Sequence, residues 1–163
     1  MDLCDFNLTD LIKQRKEGKK YFKMSEVQLF LTNLVPALAK MQQRRYLHRD
    51  IKPDNILVIR RKESFTFKIG DFGFGIKENC YSSKNIAGTK EYVSPKLMPK
   101  FINNKKTVPG STVKDDVYSF GKTFSEMMTL EIGQDFDLRV YRQCEERFGK
   151  EMVYLLKLMM EEN

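Results

Sequence analysis

The sequence predicts a mainly α-helical domain with one small β-hairpin. Apolar residues recur at helical spacing through most of the chain, whereas one central stretch alternates apolar and polar residues as a strand does. The chain has 163 residues, which fits one domain, and folding at this size buries roughly 70% of the unfolded surface. A single compact core is therefore expected.

The first helix is predicted close to the amino terminus. Leu8, Leu11 and Ile12 recur at helical spacing. Asn7 precedes them and is an acceptable N-cap, and Gly18 marks the expected end.

The second helix is longer. Ser25 with Glu26 is expected to open it. Its apolar stripe has the helical period and comprises Val27, Phe30, Leu31, Leu34, Leu38 and Met41. Pro36 lies inside this stripe and is expected to kink the helix, because an interior proline removes a backbone hydrogen bond at a cost of about 3 kcal/mol.

Two strands are predicted in the middle of the chain. Residues 56–59 form a short apolar run, and residues 65–69 alternate apolar with polar side chains. Residues 60–64 would join them as a hairpin. The loop before the first strand carries Asp50, and the loop after the second carries Asp71. The hairpin is therefore expected to bring these two carboxylates to one site.

Beyond the hairpin, residues 72–109 are rich in glycine, serine, asparagine and proline and predict an ordered loop with short turns. Asp116 is expected to begin a helix that is buried on most sides. Its apolar face comprises Val117, Phe120, Gly121, Phe124, Met127 and Met128. Two more helical stretches are predicted at 138–148 and 152–160.

The composition limits the class of protein. No stretch approaches the roughly 18 apolar residues that span a bilayer, and the first residues lack a signal pattern. We therefore expect a soluble cytoplasmic protein, with the nucleus left open as an alternative. Cys4, Cys80 and Cys144 are far apart and odd in number, which favours free thiols.

The net charge of +7 is concentrated in residues 13–23, 44–62 and 96–114. Such patches attract nucleic acid, anionic membrane or acidic peptides. The alternative is that they are ordinary solvated helix faces, which we favour. Aromatic residues are not interleaved with the cations as a nucleic-acid platform requires, so nucleic-acid binding is not expected.

One group of motifs contains residues of the kinds that catalyse reactions. Residues 48–50 are His-Arg-Asp, Lys52 and Asn55 follow, and residues 71–73 are Asp-Phe-Gly. Further matches in order are Gly88-Thr89, Ser94-Pro95 and Asp116-x-Tyr118-Ser119-x-Gly121. In this order and at these gaps the chain resembles a eukaryotic-type protein kinase. The resemblance covers residues 1–163 and implies the C-terminal lobe of a kinase domain, without the N-terminal lobe.

The resemblance implies roles for four of these residues. Asp50 would be the catalytic base that deprotonates the acceptor hydroxyl, and Lys52 would stabilise charge on the transferred phosphate. Lys52, Asn55 and Asp71 would contact ATP. Asn55 and Asp71 would hold Mg²⁺, a hard cation that prefers oxygen ligands.

Arg49 is given a regulatory role by the resemblance. It would pair with a phosphorylated residue of the following loop, where Tyr81, Ser82 and Ser83 are the candidate acceptors. The alternative is an ordinary surface arginine.

Two other residues are expected to be structural. His48 would pack against the ring of Phe72 rather than act as a general base. Asp116 would be a buried carboxylate that accepts amide hydrogen bonds from the catalytic loop. An N-cap role for Asp116 is the alternative, and both can hold.

The catalytic-loop sequence is similar to that of the serine/threonine branch of the family. Lys52 and the Gly88-Thr89 pair carry this similarity, and Thr89 is expected to bond to the side chains of Asp50 and Lys52. The implied substrate is a protein serine or threonine. The basic surface would suit an acidic or already phosphorylated protein substrate.

The chain departs from the family pattern in two places. Residues 94–96 are Ser-Pro-Lys where the family has Ala-Pro-Glu, so a loop-locking ion pair is expected to be missing. Residues 1–5 resemble the hinge between lobes, so the glycine-rich loop and ATP-anchoring lysine would come from a fuller chain. Two functions follow: a catalytic lobe that works with a small lobe, or a non-catalytic binding or scaffold module derived from a kinase.

Overall fold

A computed structural model gives the structure of residues 4–78, 87–103, 111–133 and 137–161. The helices are α1 (Leu8–Glu17), α2 (Met24–Gln43), α3 (Met98–Asn103), α4 (Val113–Thr129), α5 (Leu138–Phe148) and α6 (Lys150–Met160). The strands are β1 (Phe6–Asn7), β2 (Tyr46–Leu47), β3 (Ile56–Arg60), β4 (Phe65–Ile69) and β5 (Ile76–Lys77). The 3-10 helices are Pro53–Asn55 and Lys90–Tyr92. The fold is mainly helical, as the sequence predicts, and it contains two small antiparallel sheets where one hairpin was predicted.

Helix α1 begins and ends where the sequence predicts. Asn7 is its N-cap: its side chain accepts a 2.9 Å hydrogen bond from the amide of Asp10, and the Asp10 carboxylate accepts one from the amide of Asn7. This reciprocal pair satisfies two amides that a helix start leaves without partners. Gly18 ends the helix.

Helix α2 begins at Met24, one residue before the predicted start. The carboxylate of Glu26 accepts a 2.8 Å hydrogen bond from the amide of Lys23, which fixes the first turn. Pro36 lies inside the helix without ending it.

The predicted hairpin is present. Strands β3 and β4 pair antiparallel with Ile56 opposite Ile69 and Arg60 opposite Phe65, and β1 pairs with the other edge of β3. Strand β4 lies against α2, where Asn33 Oδ1 accepts a 2.9 Å hydrogen bond from the amide of Phe67. The second sheet, β2 with β5, was not predicted, because strands of two residues have no detectable period.

Three aromatic rings join the two longest helices. Phe30 of α2 stacks on Phe120 and Phe124 of α4, with ring centroids 5.5 and 5.7 Å apart and planes within 8°. All three side chains are buried. Burying a phenylalanine contributes about 1.5 to 3 kcal/mol, so this contact is a large part of the interface between α2 and α4.

Helix α4 is buried along most of its length, as predicted. However, it begins at Val113 rather than at Asp116. Thr112 is the N-cap, and its amide donates a 2.7 Å hydrogen bond to the Asp115 carboxylate. The alternative that Asp116 is the N-cap was therefore wrong. Helix α3 was also missed, because the loop composition around it favours turns.

The predicted helix at 138–148 is confirmed, and the last helix begins two residues earlier than predicted. Neither Cys4 nor Cys144 forms a disulfide in the described part of the chain, and Cys80 lies outside it. Within the described ranges, no helix is long and apolar enough to cross a membrane.

Candidate catalytic site

The site is built on residues 48–55, which connect β2 to β3, and one buried carboxylate holds this loop in place. Asp116 of α4 accepts hydrogen bonds from the amides of His48 at 2.7 Å and Arg49 at 2.8 Å. Burial raises the pKa of Asp116, and the two amide hydrogen bonds oppose that shift because they stabilise the carboxylate. Arg49 has a φ of 67°, an unusual conformation that these bonds help to fix.

His48 ties this loop to the one that follows β4. Its Nε2 lies 2.9 Å from the carbonyl of Gly70, and its Nδ1 lies 3.3 Å from the amide of Asp50. Nδ1 must accept from the amide, so Nε2 carries the proton and donates to the carbonyl. The ring is fully buried, with its centroid 4.9 Å from that of Phe72. Both nitrogens are engaged, so His48 is a packed structural residue.

Asp50 lies at the centre of a polar cluster. Its Oδ1 accepts a 2.8 Å hydrogen bond from the Thr89 hydroxyl, and its Oδ2 accepts a 2.9 Å bond from the Asn55 amide nitrogen. The Lys52 ammonium lies 3.0 Å from Oδ2 and donates to the Thr89 hydroxyl at 2.6 Å. The two hydrogen bonds expected of Thr89 are thus present. Asp50 is only 4% exposed.

This cluster has a definite chemical capacity. The Asp50 carboxylate already accepts the hydrogen of an alcohol, that of Thr89, at the distance an acceptor hydroxyl of a substrate would need. The Lys52 ammonium places a positive charge beside the same carboxylate. A base and a cation for a developing anion are therefore side by side.

Gly88 allows Thr89 to reach the cluster. Its φ is 116°, and a Cβ placed there would lie 2.5 Å from the carbonyl oxygen of Arg49. Both the backbone angle and the close approach require glycine. Gly88 lets the chain pass close to the loop at residues 48–55, and Thr89 bonds to Asp50 in that loop.

The donor groups of Asn55 and Asp71 fit a magnesium ion. The Asn55 amide nitrogen bonds to the carbonyl of Asp50 at 2.7 Å and to its carboxylate, which leaves the Asn55 oxygen as the ligand atom. Asp71 is exposed, has a φ of 54°, and accepts a 3.1 Å hydrogen bond from the amide of Gly73. One carboxylate and one amide oxygen, completed by water and phosphate oxygens, are a donor set that Mg²⁺ accepts.

Arg49 lies partly buried beside this cluster. Its Nε donates a 2.7 Å hydrogen bond to the carbonyl of Phe74, and burial lowers its pKa. The predicted phosphate acceptors Tyr81, Ser82 and Ser83 lie outside the described residues. Pairing of Arg49 with a phosphate therefore stays a prediction.

Sequence reasoning missed a second buried polar group near the site. The Tyr92 hydroxyl donates a 2.8 Å hydrogen bond to the Glu126 carboxylate, which also accepts one from the amide of Gly133 at 2.8 Å. The Lys122 ammonium lies 5.7 Å from the centre of the Tyr92 ring. The sequence contains one signal for this group: Glu126 directly precedes Met127 and Met128, which lie on the predicted buried face of the helix.

The segment after Thr89 is also held by two hydrogen bonds that were not predicted. The Ser94 hydroxyl donates a 2.5 Å hydrogen bond to the Asp115 carboxylate, and the Ser119 hydroxyl donates to the Tyr92 carbonyl at 2.8 Å. Lys96, which stands where the family has glutamate, is exposed. The loop is thus fastened to α4 by hydroxyl groups.

The comparisons with known proteins agree with this geometry. The family described as the protein kinase domain matches residues 1–147, and the chain belongs to this family. The serine/threonine-protein kinase nekl-2 of Caenorhabditis elegans is 28% identical over 150 residues, which cover 88% of this chain and 39% of that protein.

Two further relatives carry similar names. The probable serine/threonine-protein kinase nek3 of Dictyostelium discoideum is 34% identical over 128 residues, 77% of this chain and 11% of that protein. The human serine/threonine-protein kinase Nek11 is 26% identical over 169 residues, 96% of this chain and 24% of that protein. This chain thus spans less than two-fifths of the length of each of these relatives.

Proposed function

We propose that this chain is the catalytic large lobe of a protein serine/threonine kinase, which transfers the γ-phosphate of ATP to a serine or threonine hydroxyl of a protein. The observation that carries the proposal is the Asp50 carboxylate bonded to an alcohol hydroxyl and flanked by the Lys52 ammonium. A loop held by Asp116 carries both groups.

The proposed reaction follows from these positions. Asp50 accepts the proton of the substrate hydroxyl while the oxygen forms a bond to the γ-phosphorus and the bond from that phosphorus to the ADP oxygen breaks. Lys52 stabilises the negative charge of the transferred phosphoryl group. Asn55 and Asp71 would hold Mg²⁺, which neutralises charge on the phosphate oxygens when bound.

The exposed apolar surface around Phe72 supports contact with a partner lobe. Phe72 and Phe74 are each 47% exposed. Tyr46, Phe67 and Phe72 contribute to the lining of a groove of about 490 Å³ that runs along the end of α2. We assign this apolar surface to contact with a small lobe from a fuller chain, with residues 1–163 as the large lobe.

The charge distribution supports an acidic protein substrate. Lys90 and Lys96 are exposed in the segment that follows Thr89, and the whole chain carries a net charge of +7. Opposite charge on the substrate would favour the encounter and correct orientation. We retain a cytoplasmic location as a prediction.

The experiment joins the small lobe of the nekl-2 relative to residues 1–163 and measures phosphate transfer from ATP to an acidic serine peptide with Mg²⁺. The expected result is transfer that Asp50→Ala lowers about a hundredfold to ten-thousandfold while ATP binding stays nearly unchanged. The chain alone is expected to transfer poorly, because positioning of the phosphates is worth about 7 to 11 kcal/mol.

One control variant and two possible outcomes make this experiment decisive. Asp54→Ala changes an exposed carboxylate in the same loop and is expected to keep the wild-type rate. A folded chimera that binds ATP with Mg²⁺ but transfers no phosphate would overturn the catalytic proposal and support the non-catalytic module. Equal rates for the Asp50→Ala variant and the wild type would remove Asp50 as the base.

Regulation through Arg49 forms a separate part of the proposal. Phosphate on Tyr81, Ser82 or Ser83 would add nearly two negative charges that a guanidinium can bind. Replacing Tyr81 by phenylalanine and both serines by alanine should then lower the rate of the chimera. Unchanged activity, with no phosphate found on these residues by mass spectrometry, would overturn this role.

A further inference from the structure

A basic groove lies on a part of the surface that the proposed reaction does not use. It runs between the connection from α1 to α2 and the turn of the β3–β4 hairpin, and its volume is about 640 Å³. None of its lining residues belongs to the cluster around Asp50. A function assigned to this groove is therefore independent of the proposed catalysis.

The groove has a strong excess of positive charge. Its cationic side chains are Arg15, Lys20, Lys23, Arg60, Arg61 and Lys62. Its carboxylates are Glu26 and Glu63, so the lining residues carry a net charge of +4. A concave surface with one sign of charge concentrates the field and attracts ligands of the opposite sign.

One ion pair lies on the inner side of the groove. Arg15 Nη2 lies 2.5 Å from the Glu26 carboxylate, and both side chains are partly buried. The Arg15 guanidinium also lies 5.2 Å from the centre of the Phe22 ring and 5.8 Å from that of Phe65. These contacts fix the position of Arg15, and Phe65 and Leu11 are the apolar residues that line the groove.

The remaining cations are available at the rim. Lys20, Lys23, Arg61 and Lys62 are exposed, and none of them forms an ion pair with a carboxylate in the described part of the chain. The hairpin turn that carries two of them is closed by a 2.9 Å hydrogen bond from the Arg61 amide to the Ser64 carbonyl. Exposed cations thus lie on both rims of the groove.

We propose that this groove binds an acidic peptide segment of a partner protein. Carboxylates of the peptide would pair with the exposed cations along the rim of the groove. Nucleic acid fits less well, because Phe22 is buried and Phe65 lies under Arg15, so neither ring is open for base stacking. A bilayer fits less well because the surface is concave.

The test uses a fluorescent synthetic peptide in which glutamate, aspartate and leucine alternate, and the binding of the 163-residue chain is followed by fluorescence anisotropy. The control peptide replaces every acid by its amide. Lys20→Glu, Lys23→Glu and Arg61→Glu together form the groove variant. Lys114→Glu, Arg142→Glu and Lys150→Glu form a matched control, since all three are exposed on other surfaces and the total charge change is the same.

We expect the acidic peptide to bind the wild type and the control variant similarly, and the groove variant at least about tenfold more weakly. The amide peptide should bind none of them. Equal weakening in both variants, or no binding of the acidic peptide to the wild type, would overturn the proposal. Tighter binding of a single-stranded oligonucleotide or of phosphatidylserine vesicles at the same groove would also overturn it.

A second measurement does not depend on folding of the variant. Amide chemical shifts of the wild-type chain are recorded with and without the acidic peptide. Changes should concentrate at Gly18, Ser25 and Ser64 in the groove and spare Gly133 at the far end of α4. Changes at Gly133 without changes at the groove residues would contradict the assigned site.

Discussion

The Tyr92 hydroxyl donates a 2.8 Å hydrogen bond to Oε2 of Glu126 in the interior of the protein, where Glu126 is 2% exposed. The other carboxylate oxygen accepts from the amide of Gly133. Burial raises the pKa of Glu126 to about 7, although the Gly133 amide and the Tyr92 hydroxyl both favour the charged form. The segment after Thr89 is thus fastened to α4 through a group that titrates near neutral pH.

The first prediction concerns the pH dependence of stability. The folded pKa of Glu126, about 7, lies above its ordinary value of 4.5, so the native state keeps a proton that the unfolded chain has released. The contribution of this group to the free energy of unfolding is therefore complete below pH 4.5 and is lost as the pH rises through about 7.

Glu126→Gln removes this titration. Between pH 4.5 and 8, the unfolding free energy of the wild type should fall relative to that of the variant by up to about 3 kcal/mol, measured by denaturant titration. The control is Glu91→Gln, which changes an exposed carboxylate in the adjacent 3-10 helix. A Glu126→Gln variant that follows the wild-type pH profile would contradict the assignment.

The second prediction concerns Asp116. Alanine at this position leaves the buried amides of His48 and Arg49 without acceptors at a point where the Arg49 backbone has an unusual φ. We expect the free energy of unfolding to drop by about 2 to 5 kcal/mol, because hydrogen bonds to a charged group contribute about 1.5 to 3 kcal/mol each. Equilibrium denaturation measures this, with Asp54→Ala as the control. Comparable losses in the two variants would argue against a special role of Asp116.

The third prediction separates the effect of the Thr89 hydroxyl on kcat from the effect of the size of the side chain. In the chimera with a small lobe, Thr89→Ala removes a hydroxyl that bonds to both Lys52 and Asp50, and it should lower kcat by about tenfold to a hundredfold. Thr89→Ser keeps the hydroxyl and should stay within about threefold of the wild type. Steady-state kinetics measure both. If serine and alanine lower kcat equally, the bridge is not what positions Lys52.

Much of the fold was accessible from the sequence because its signals were periodic. The alternation at 65–69 predicted β4, and the stripe from Val27 to Met41 predicted α2. The start of α4 was misplaced because three of its first four residues are charged. The predicted apolar face begins only at Val117, while the helix is opened by Thr112 with Asp115. The start of such a helix is predicted correctly only when its capping residues are considered together with its apolar period.

The candidate site was partly accessible for a different reason. The resemblance supplied Asp50 and its neighbours, but it gave no indication of Ser94 bonded to Asp115 or Tyr92 bonded to Glu126. Both pairs join residues more than twenty positions apart, and neither has a local spacing that would reveal it. Such contacts depend on the tertiary packing of the loop on α4.

The fourth prediction concerns Gly121, where α4 meets α6. A Cβ at this position would lie 2.8 Å from Cβ of Met159 and 2.9 Å from Sδ of Met160. The Met160 side chain can rotate away, but Cβ of Met159 moves only with the backbone of α6. Helix propensity alone would make Gly121→Ala stabilising by about 1 kcal/mol, whereas overpacking costs about 1 to 3 kcal/mol.

We therefore expect Gly121→Ala to lower the free energy of unfolding by about 1 kcal/mol and to speed amide exchange in α6. Gly18→Ala is the matched control, because Gly18 has a φ of −76° and the nearest atom to a new Cβ is 3.4 Å away. That control should stay within about 0.5 kcal/mol of the wild type. A Gly121→Ala variant more stable than the wild type would contradict this prediction. It would mean that α6 can move away from the new methyl group without loss of stability, so that the close contact between α4 and α6 does not constrain the core.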